Sequence, residues 1–245
     1  MIINSIGYNL MKLTILLGSF LAMLTNTYLN SDSIMTNDNL LNESLQAYVE
    51  KAVSDFSQIP QERKTDLEKI ASFIQAKAIA GEPVQLTYIC THNSRRSHFG
   101  QLWGATAAAY YNIPNVKTFS GGTEATAFNE RAVAACKRVG FEIKTVTQGK
   151  NPVYEVKYAA NAEPIRLFSK LFSDSSNPQN GFCAILTCTQ ADEACPVVKG
   201  ASLRVAVPYE DPKHFDGQPN ETEKYDERCK QIATETLYVF SKVKL

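Results

Sequence analysis

Residues 90 to 97 read Cys-Thr-His-Asn-Ser-Arg-Arg-Ser. An extended apolar run, Val84 to Ile89, precedes them, and Phe99, Leu102, Trp103, Thr106 and Tyr110 follow at helical spacing. Strand, tight loop and helix N-terminus together form an oxyanion site. Backbone N–H groups point inward and the helix dipole favours negative charge. Such a setting favours the thiolate form of a cysteine at the head of the loop. The planar fork of Arg96 matches two oxygens of a tetrahedral anion. Cys90, Thr91, His92, Asn93, Ser94, Arg95, Arg96 and Ser97 are therefore the candidate oxyanion loop, able both to bind a phosphate-like group and to attack it. Ser97 is suited to hydrogen-bond the Cys90 sulfur or to cap the helix. Asn93 is expected in a left-handed conformation that turns amides inward.

Two later segments extend the pattern. Leu186 to Pro196 reads Leu-Thr-Cys-Thr-Gln-Ala-Asp-Glu-Ala-Cys-Pro, and residues 210 to 212 read Glu-Asp-Pro. Cys90-x5-Arg96-Ser97 resembles the phosphate-binding loop of low-molecular-weight protein tyrosine phosphatases and of the thioredoxin-coupled arsenate reductases, which share that fold. The segment holding Cys188 and Cys195 is similar to the redox-cysteine segment of those reductases. Asp211-Pro212 resembles the Asp-Pro that carries their general acid. The resemblance runs from about Val84 to Leu245 and is closer to the reductases.

This resemblance implies roles. Cys90 would be the nucleophile and Arg96 would stabilise transition-state charge. Asp211, held extended by Pro212, would protonate the leaving oxygen. Cys188 would attack the cysteine–arsenic adduct and release arsenite. Cys195 would resolve the resulting disulfide and leave a pair that a thioredoxin-like partner reduces. A seven-residue offset in a mobile loop suits such a relay by thiol exchange. Substrates would be arsenate or a phosphate ester, with no cofactor and no metal.

Three positions depart from the family pattern. His92 stands where a glycine is common, and histidine tolerates positive φ better than most residues. Arg95 replaces a frequent second cysteine and is expected to add positive charge close to Cys90. Lys213-His214 follows Asp211-Pro212 where the phosphatases usually carry an aromatic residue, and Phe215 comes later. Two alternatives to a reductase stand beside it. One is a phosphatase that hydrolyses phosphate monoesters through a phosphocysteine. The other is a non-catalytic oxyanion-binding module.

The elements that must position these groups follow from the rest of the chain. It has 245 residues, 44% of them apolar, which suits one domain of about 150 residues plus an extension. Lys+Arg and Asp+Glu number 25 each, so no net field draws in nucleic acid. Six cysteines occur in a chain long enough to build a core without staples, which favours catalytic or core thiols over a disulfide framework. Cys136, Cys183 and Cys229 read as packing residues.

Met11-Lys12 precedes Leu13 to Leu24, an apolar stretch broken by Thr14, Gly18 and Ser19. That is too short for a transmembrane span and right for a signal-peptide core. Residues 1–30 are thus a signal-peptide-like or flexible apolar segment. A leader over residues 11–30 would mean export, whereas thiol redox chemistry argues for the cytoplasm. Residues 35–82 read as a helical hairpin extension, with stripes through Leu45, Val49 and Ala52 and through Leu67, Ile70 and Ile74, broken at Pro60. Residues 83–245 form the catalytic-type domain. There, strand–helix alternation predicts an α/β fold, a parallel sheet with helices on both faces. A hairpin is expected around Gly149 to Pro152, and a long amphipathic helix over Glu221 to Lys242.

Overall fold

The computed structural model describes residues 41–245. The signal-like segment 1–30 and the polar stretch after it lie outside the described residues. Two helices come first: α1 (Glu43–Ser54) and α2 (Gln61–Ile79). Pro60 separates them, since its ring fixes φ and leaves it no N–H for a continuing helix. Then come β1 (Val84–Cys90), α3 (Arg96–Tyr110), β2 (Val116–Gly122), α4 (Glu130–Arg138), β3 (Glu142–Thr147), β4 (Val153–Lys157) and β5 (Ile165–Leu167). The chain finishes with β6 (Phe182–Leu186), the short α5 (Thr189–Ala194), β7 (Ala201–Ala206) and α6 (Glu221–Ser241).

Four strands pair in the order β2-β1-β6-β7, all parallel. Side-chain alternation along each strand builds two cores, one on each face. Val84, Leu86 and Tyr88 of β1, and Cys183 and Ile185 of β6, face the larger core with α1, α2, α3, α4 and α6. Ile89, Phe182, Ala184 and Leu186 face a smaller core that also holds Cys90, Cys188, Ala191 of α5 and Cys195. Trp103 and Phe99 of α3 and Tyr225 and Phe240 of α6 are among the largest fully buried side chains. Each fully buried Leu or Phe contributes roughly 1.5–3 kcal/mol of hydrophobic stabilisation. Cys136, Cys183 and Cys229 are wholly buried packing groups of the larger core, and burial raises the pKa of Cys136 and Cys183, which makes those two thiols inert.

The expected hairpin is present as β3 against β4, antiparallel. It carries a third strand, β5, which the sequence reading did not anticipate. β5 is only three residues long, too short to show alternation. Asn129 caps α4, its Oδ1 accepting from Arg131 N at 3.0 Å. The hairpin α1–α2 is not separate from the sheet's helical layer. Leu45, Val49, Leu67 and Ile74 belong to the same core as α3 and α6.

Candidate active site

Parallel strands point the same way, so the loops at their carboxyl ends gather on one edge. The chain passes from β1 to β2 on one side and returns to β6 on the other. The crevice at such a switch point is where open α/β sheets bind ligands. Cys90 ends β1 at that point. Cys188 follows β6, Asp211 follows β7 and Gly122 ends β2, so the sheet delivers all three beside the 91–95 loop. Bonds beyond the strand ends hold them there. Thr187 N donates to Ile89 O at 2.7 Å, and Tyr209 N donates to Thr187 O at 3.1 Å.

The loop is shaped by Asn93, which takes φ 43°, the left-handed conformation expected of it. Its side chain is used at both ends. Nδ2 donates to Ser97 Oγ at 2.9 Å, and Oδ1 accepts from Lys170 N at 2.9 Å. Ser97 Oγ in turn lies 3.1 Å from Cys90 Sγ. The amides of His92, Asn93, Ser94 and Arg95 take no backbone or side-chain acceptor among the described residues. They are the donors an oxyanion needs. Gly122 makes room: a Cβ there would lie 2.6 Å from Thr91 O and 2.7 Å from Asn93 N.

Several residues depart from expectation. His92 is not among the positive-φ residues, so its backbone needs none of glycine's freedom. Its ring reaches Glu124 at 3.5 Å instead. Ser97 does not cap α3; Arg95 occupies the N-cap position without a side-chain cap bond. Arg95 is tied to partners outside the loop, while its Nε also stands 3.9 Å from Asp211 Oδ1. Its Nε donates to Tyr225 Oη at 2.7 Å and its Nη2 to Asp216 Oδ2 at 3.2 Å, while Tyr225 Oη donates to Asp216 Oδ1 at 2.7 Å. Tyr225 of α6 and Asp216, ahead of that helix, hold the guanidinium beside the Asp211 carboxylate.

Arg96 is 5% exposed and already partnered. Nη2 donates to Asp211 Oδ2 at 2.6 Å and Nη1 to Tyr209 O at 2.8 Å, leaving Nε buried without a partner among the described residues. Asp211 Oδ1 accepts from Lys213 N at 3.1 Å. Pro212 opens the turn that supplies this amide. Arg96 and Asp211 thus satisfy each other across the mouth of a cleft of about 660 Å³, which Thr91, His92, His214 and Phe215 also line. An entering dianion competes with the Asp211 carboxylate for Arg96.

The cysteine pair sits on a helix rather than in a mobile loop. Cys188 is the N-cap of α5, its sulfur accepting from Ala191 N at 3.4 Å. Cys195 is the C-cap. Thr91 Oγ1, on the residue after Cys90, lies 3.4 Å from Cys188 Sγ. Arg204 ties down the far end of α5: Nε donates to Cys195 O at 2.9 Å and Nη2 to Asp192 O at 2.8 Å, and an ion pair joins it to the Asp192 carboxylate. Burial raises the pKa of Cys195, with Arg204 opposing.

Two buried bases behind the loop escaped the sequence reading. His98 lies against Phe128 with ring centroids 4.2 Å apart and 3.2 Å from Ser120 Oγ. Burial, and then the neighbouring Lys170 cation, push its pKa down to about 3. Burial also lowers Lys170 to about 8. An unfolded chain protonates His98 near 6.5, whereas the folded one resists to about 3. Stability is therefore lost as pH falls from about 6.5 toward 3, by roughly 3 kcal/mol at pH 4 from this group. His98→Gln should flatten that part of the curve. Denaturant titrations at pH 7 and pH 4 check it, and an unchanged acid slope would contradict the assignment.

Among the described residues, no helix is long and apolar enough to cross a membrane, and no group of three or more His, Cys, Asp or Glu side chains is placed to hold a metal. Fold and site together define an α/β protein with a cysteine-headed loop of unpaired amides at the carboxyl edge of a parallel sheet. No protein-family model matches the chain. An arsenate reductase of Brevibacillus brevis is 30% identical over 125 residues, covering 51% of this chain and 74% of that protein. Arsenate reductase 2 of Staphylococcus epidermidis is 26% identical over 125 residues, covering 51% and 76%. Among solved structures, a low-molecular-weight phosphotyrosine phosphatase from Vibrio cholerae superposes with a TM-score of 0.44 at 12% identity, over 64% of this chain and 95% of that one. The chain belongs to the arsenate reductase family.

Proposed function

We propose that the protein reduces arsenate to arsenite by a three-thiol relay. The observation that carries this reading is the placement of Cys188 beside the oxyanion loop. A thiol 97 positions from Thr91 lies in contact with it, next to Cys90, with Cys195 in the same small core. A phosphatase cycle has no use for either thiol.

The steps balance as follows. Arsenate binds the loop amides and Arg96, displacing the Asp211 carboxylate from the guanidinium. Asp211, once off Arg96, takes up a proton from solvent; the Cys90 thiolate attacks arsenic and an arsenic–oxygen bond breaks, the departing oxygen taking that proton from Asp211. Cys188 thiolate then attacks the Cys90 sulfur. The sulfur–arsenic bond breaks, its electron pair stays on arsenic, and arsenite leaves with arsenic reduced by two electrons. The Cys90–Cys188 disulfide holds the oxidation. Cys195 attacks Cys188, frees Cys90 and forms a Cys188–Cys195 disulfide, which an external dithiol of thioredoxin type reduces.

That last disulfide has a conformational requirement. The two cysteines flank a helix, so their Cα atoms lie roughly 10 Å apart by helical rise, whereas a disulfide needs less than about 7 Å. α5 must open for the pair to join. A six-residue helix is short enough to do so at little cost.

The alternative, phosphate-monoester hydrolysis through a phosphocysteine, needs only Cys90, Arg96 and Asp211. The deciding experiment assays the purified protein with arsenate plus a thioredoxin system, beside para-nitrophenyl phosphate. Arsenite formation that depends on the dithiol is the expected result. Hydrolysis with no arsenite would reverse the assignment. Within either chemistry, Asp211→Asn should slow esters with poor leaving groups by about 10² to 10⁴-fold and spare those with acidic leaving groups. An equal loss on both would make Asp211 structural.

A further inference from the structure

We propose that Arg63, in the first turn of α2, is a positioning residue for the loop that carries Asp211, so that the N-terminal helical pair takes part in the chemistry. This rests on the reading of Asp211 as the proton donor. One guanidinium makes three contacts at once. Its Nε donates to Glu235 Oε2 of α6 at 2.8 Å, its Nη2 donates to Pro208 O at 3.2 Å, and its Cζ lies 4.7 Å from the centroid of the Tyr209 ring.

The contacts fall past the end of β7, where Val207 N still donates to Leu186 O at 2.8 Å and Tyr209 N to Thr187 O at 3.1 Å, and where Arg63 holds the residue between them. β7 ends at Ala206, and Pro208 has no N–H to extend the ladder. The Pro208 carbonyl has no other donor among the described residues than Arg63. Tyr209 is 7% exposed, and its own carbonyl accepts from Arg96 Nη1. Asp211 comes two residues later, on Arg96 Nη2. A chain of direct contacts therefore runs from α2 through Pro208 and Tyr209 to the carboxyl group that must meet the leaving oxygen. An Arg63–Glu235 pair alone would need no arginine. A lysine can keep that ion pair, but it offers no planar fork to reach a carbonyl and cover a ring as well.

This difference makes the test. Arg63→Lys keeps the charge opposite Glu235. The double variant Arg63→Leu with Glu235→Leu removes both charges together, so neither is left buried alone, and it keeps the proposal testable should the lysine variant not fold. Both should unfold thermally near the parent. In both, amide hydrogen exchange over residues 209–213 should speed up while exchange in β6 and α6 stays unchanged. With phenyl phosphate, a poor leaving group, kcat should fall roughly 10- to 100-fold with KM little changed, since small misplacements of a reacting group cost that much. With para-nitrophenyl phosphate the fall should be within about threefold, because an acidic leaving group needs less proton donation. Adding Arg63→Lys to Asp211→Asn should cost nothing further.

Unchanged loop exchange, or full activity in Arg63→Lys, overturns the proposal and leaves the acid role of Asp211 intact. Equal losses on both esters also overturn it, since Arg63 would then act through Arg96. A parent that hydrolyses neither ester, or an Asp211→Asn variant that loses both equally, removes the acid role and this proposal with it.

Discussion

Cys90→Ser should reduce turnover of every substrate by about 10³-fold or more while leaving oxyanion binding in place. The reason lies in how the loop is held. Its left-handed Asn93 is fixed by Lys170 N and Ser97 Oγ, and its close approach to β2 is permitted by Gly122. None of these depends on the Cys90 sulfur. The free amides of residues 92 to 95 and Arg96 therefore remain to receive an anion. A serine hydroxyl in place of the thiol keeps a partner for Ser97, 3.1 Å away in the parent, but it is not ionised at neutral pH. Isothermal titration with phosphate or arsenate, beside the turnover assays, checks both halves. Retained turnover would remove Cys90 from the mechanism. Lost binding together with lost turnover would mean that the sulfur shapes the loop and does not only react.

The parts of this site that were legible in the sequence are those contiguous along the chain. Cys90 to Ser97 sits between an apolar run and a helix-patterned run, so its setting could be argued from neighbours alone. Asn93 in left-handed conformation followed from local chemistry of the same kind. What the sequence could not show lies where tertiary partners decide. Arg95 is gripped by Tyr225 and Asp216, more than a hundred residues later, and stands 3.9 Å from Asp211 Oδ1. Arg96 binds Asp211 and the Tyr209 carbonyl, also more than a hundred residues away. The Arg63 contacts with Pro208 and Tyr209 cross about 145 residues and leave no trace in periodicity or spacing. His98 gave no signal either, because a histidine among helical residues looks the same whether buried or exposed. The segment between the redox cysteines was read as a loop. Six residues are too few for a helical stripe to show, and α5 exists because Cys188 caps it and Arg204 clamps its far end.

Cys188→Ser and Cys195→Ser should each stop thioredoxin-coupled arsenate turnover, yet leave phosphate-ester hydrolysis within a fewfold of the parent. Ester hydrolysis closes when water attacks the phosphocysteine, and it uses one thiol. Arsenate reduction must also deliver two electrons. Cys90 and Cys188 supply them by forming a disulfide, and Cys195 passes the oxidation outward. The two variants should stop at different points. Without Cys188, the enzyme should halt at the cysteine–arsenic adduct and release no arsenite. Without Cys195, it should release one equivalent of arsenite and then hold a Cys90–Cys188 disulfide. Single-turnover arsenite yield, with mass spectrometry of the alkylated protein, separates these states. Cys136→Ser and Cys183→Ser should alter neither reaction, because both side chains lie in the larger core, on the opposite side of the sheet from the small core that holds Cys90. The geometry adds a signature specific to this chain. The parent's Cys188–Cys195 disulfide requires α5 to open, so oxidation should speed amide exchange over residues 189–195 and loosen the Arg204 bonds to Asp192 and Cys195. Arsenate turnover that survives loss of both Cys188 and Cys195, or that never appears in the parent, would move the assignment to the phosphatase.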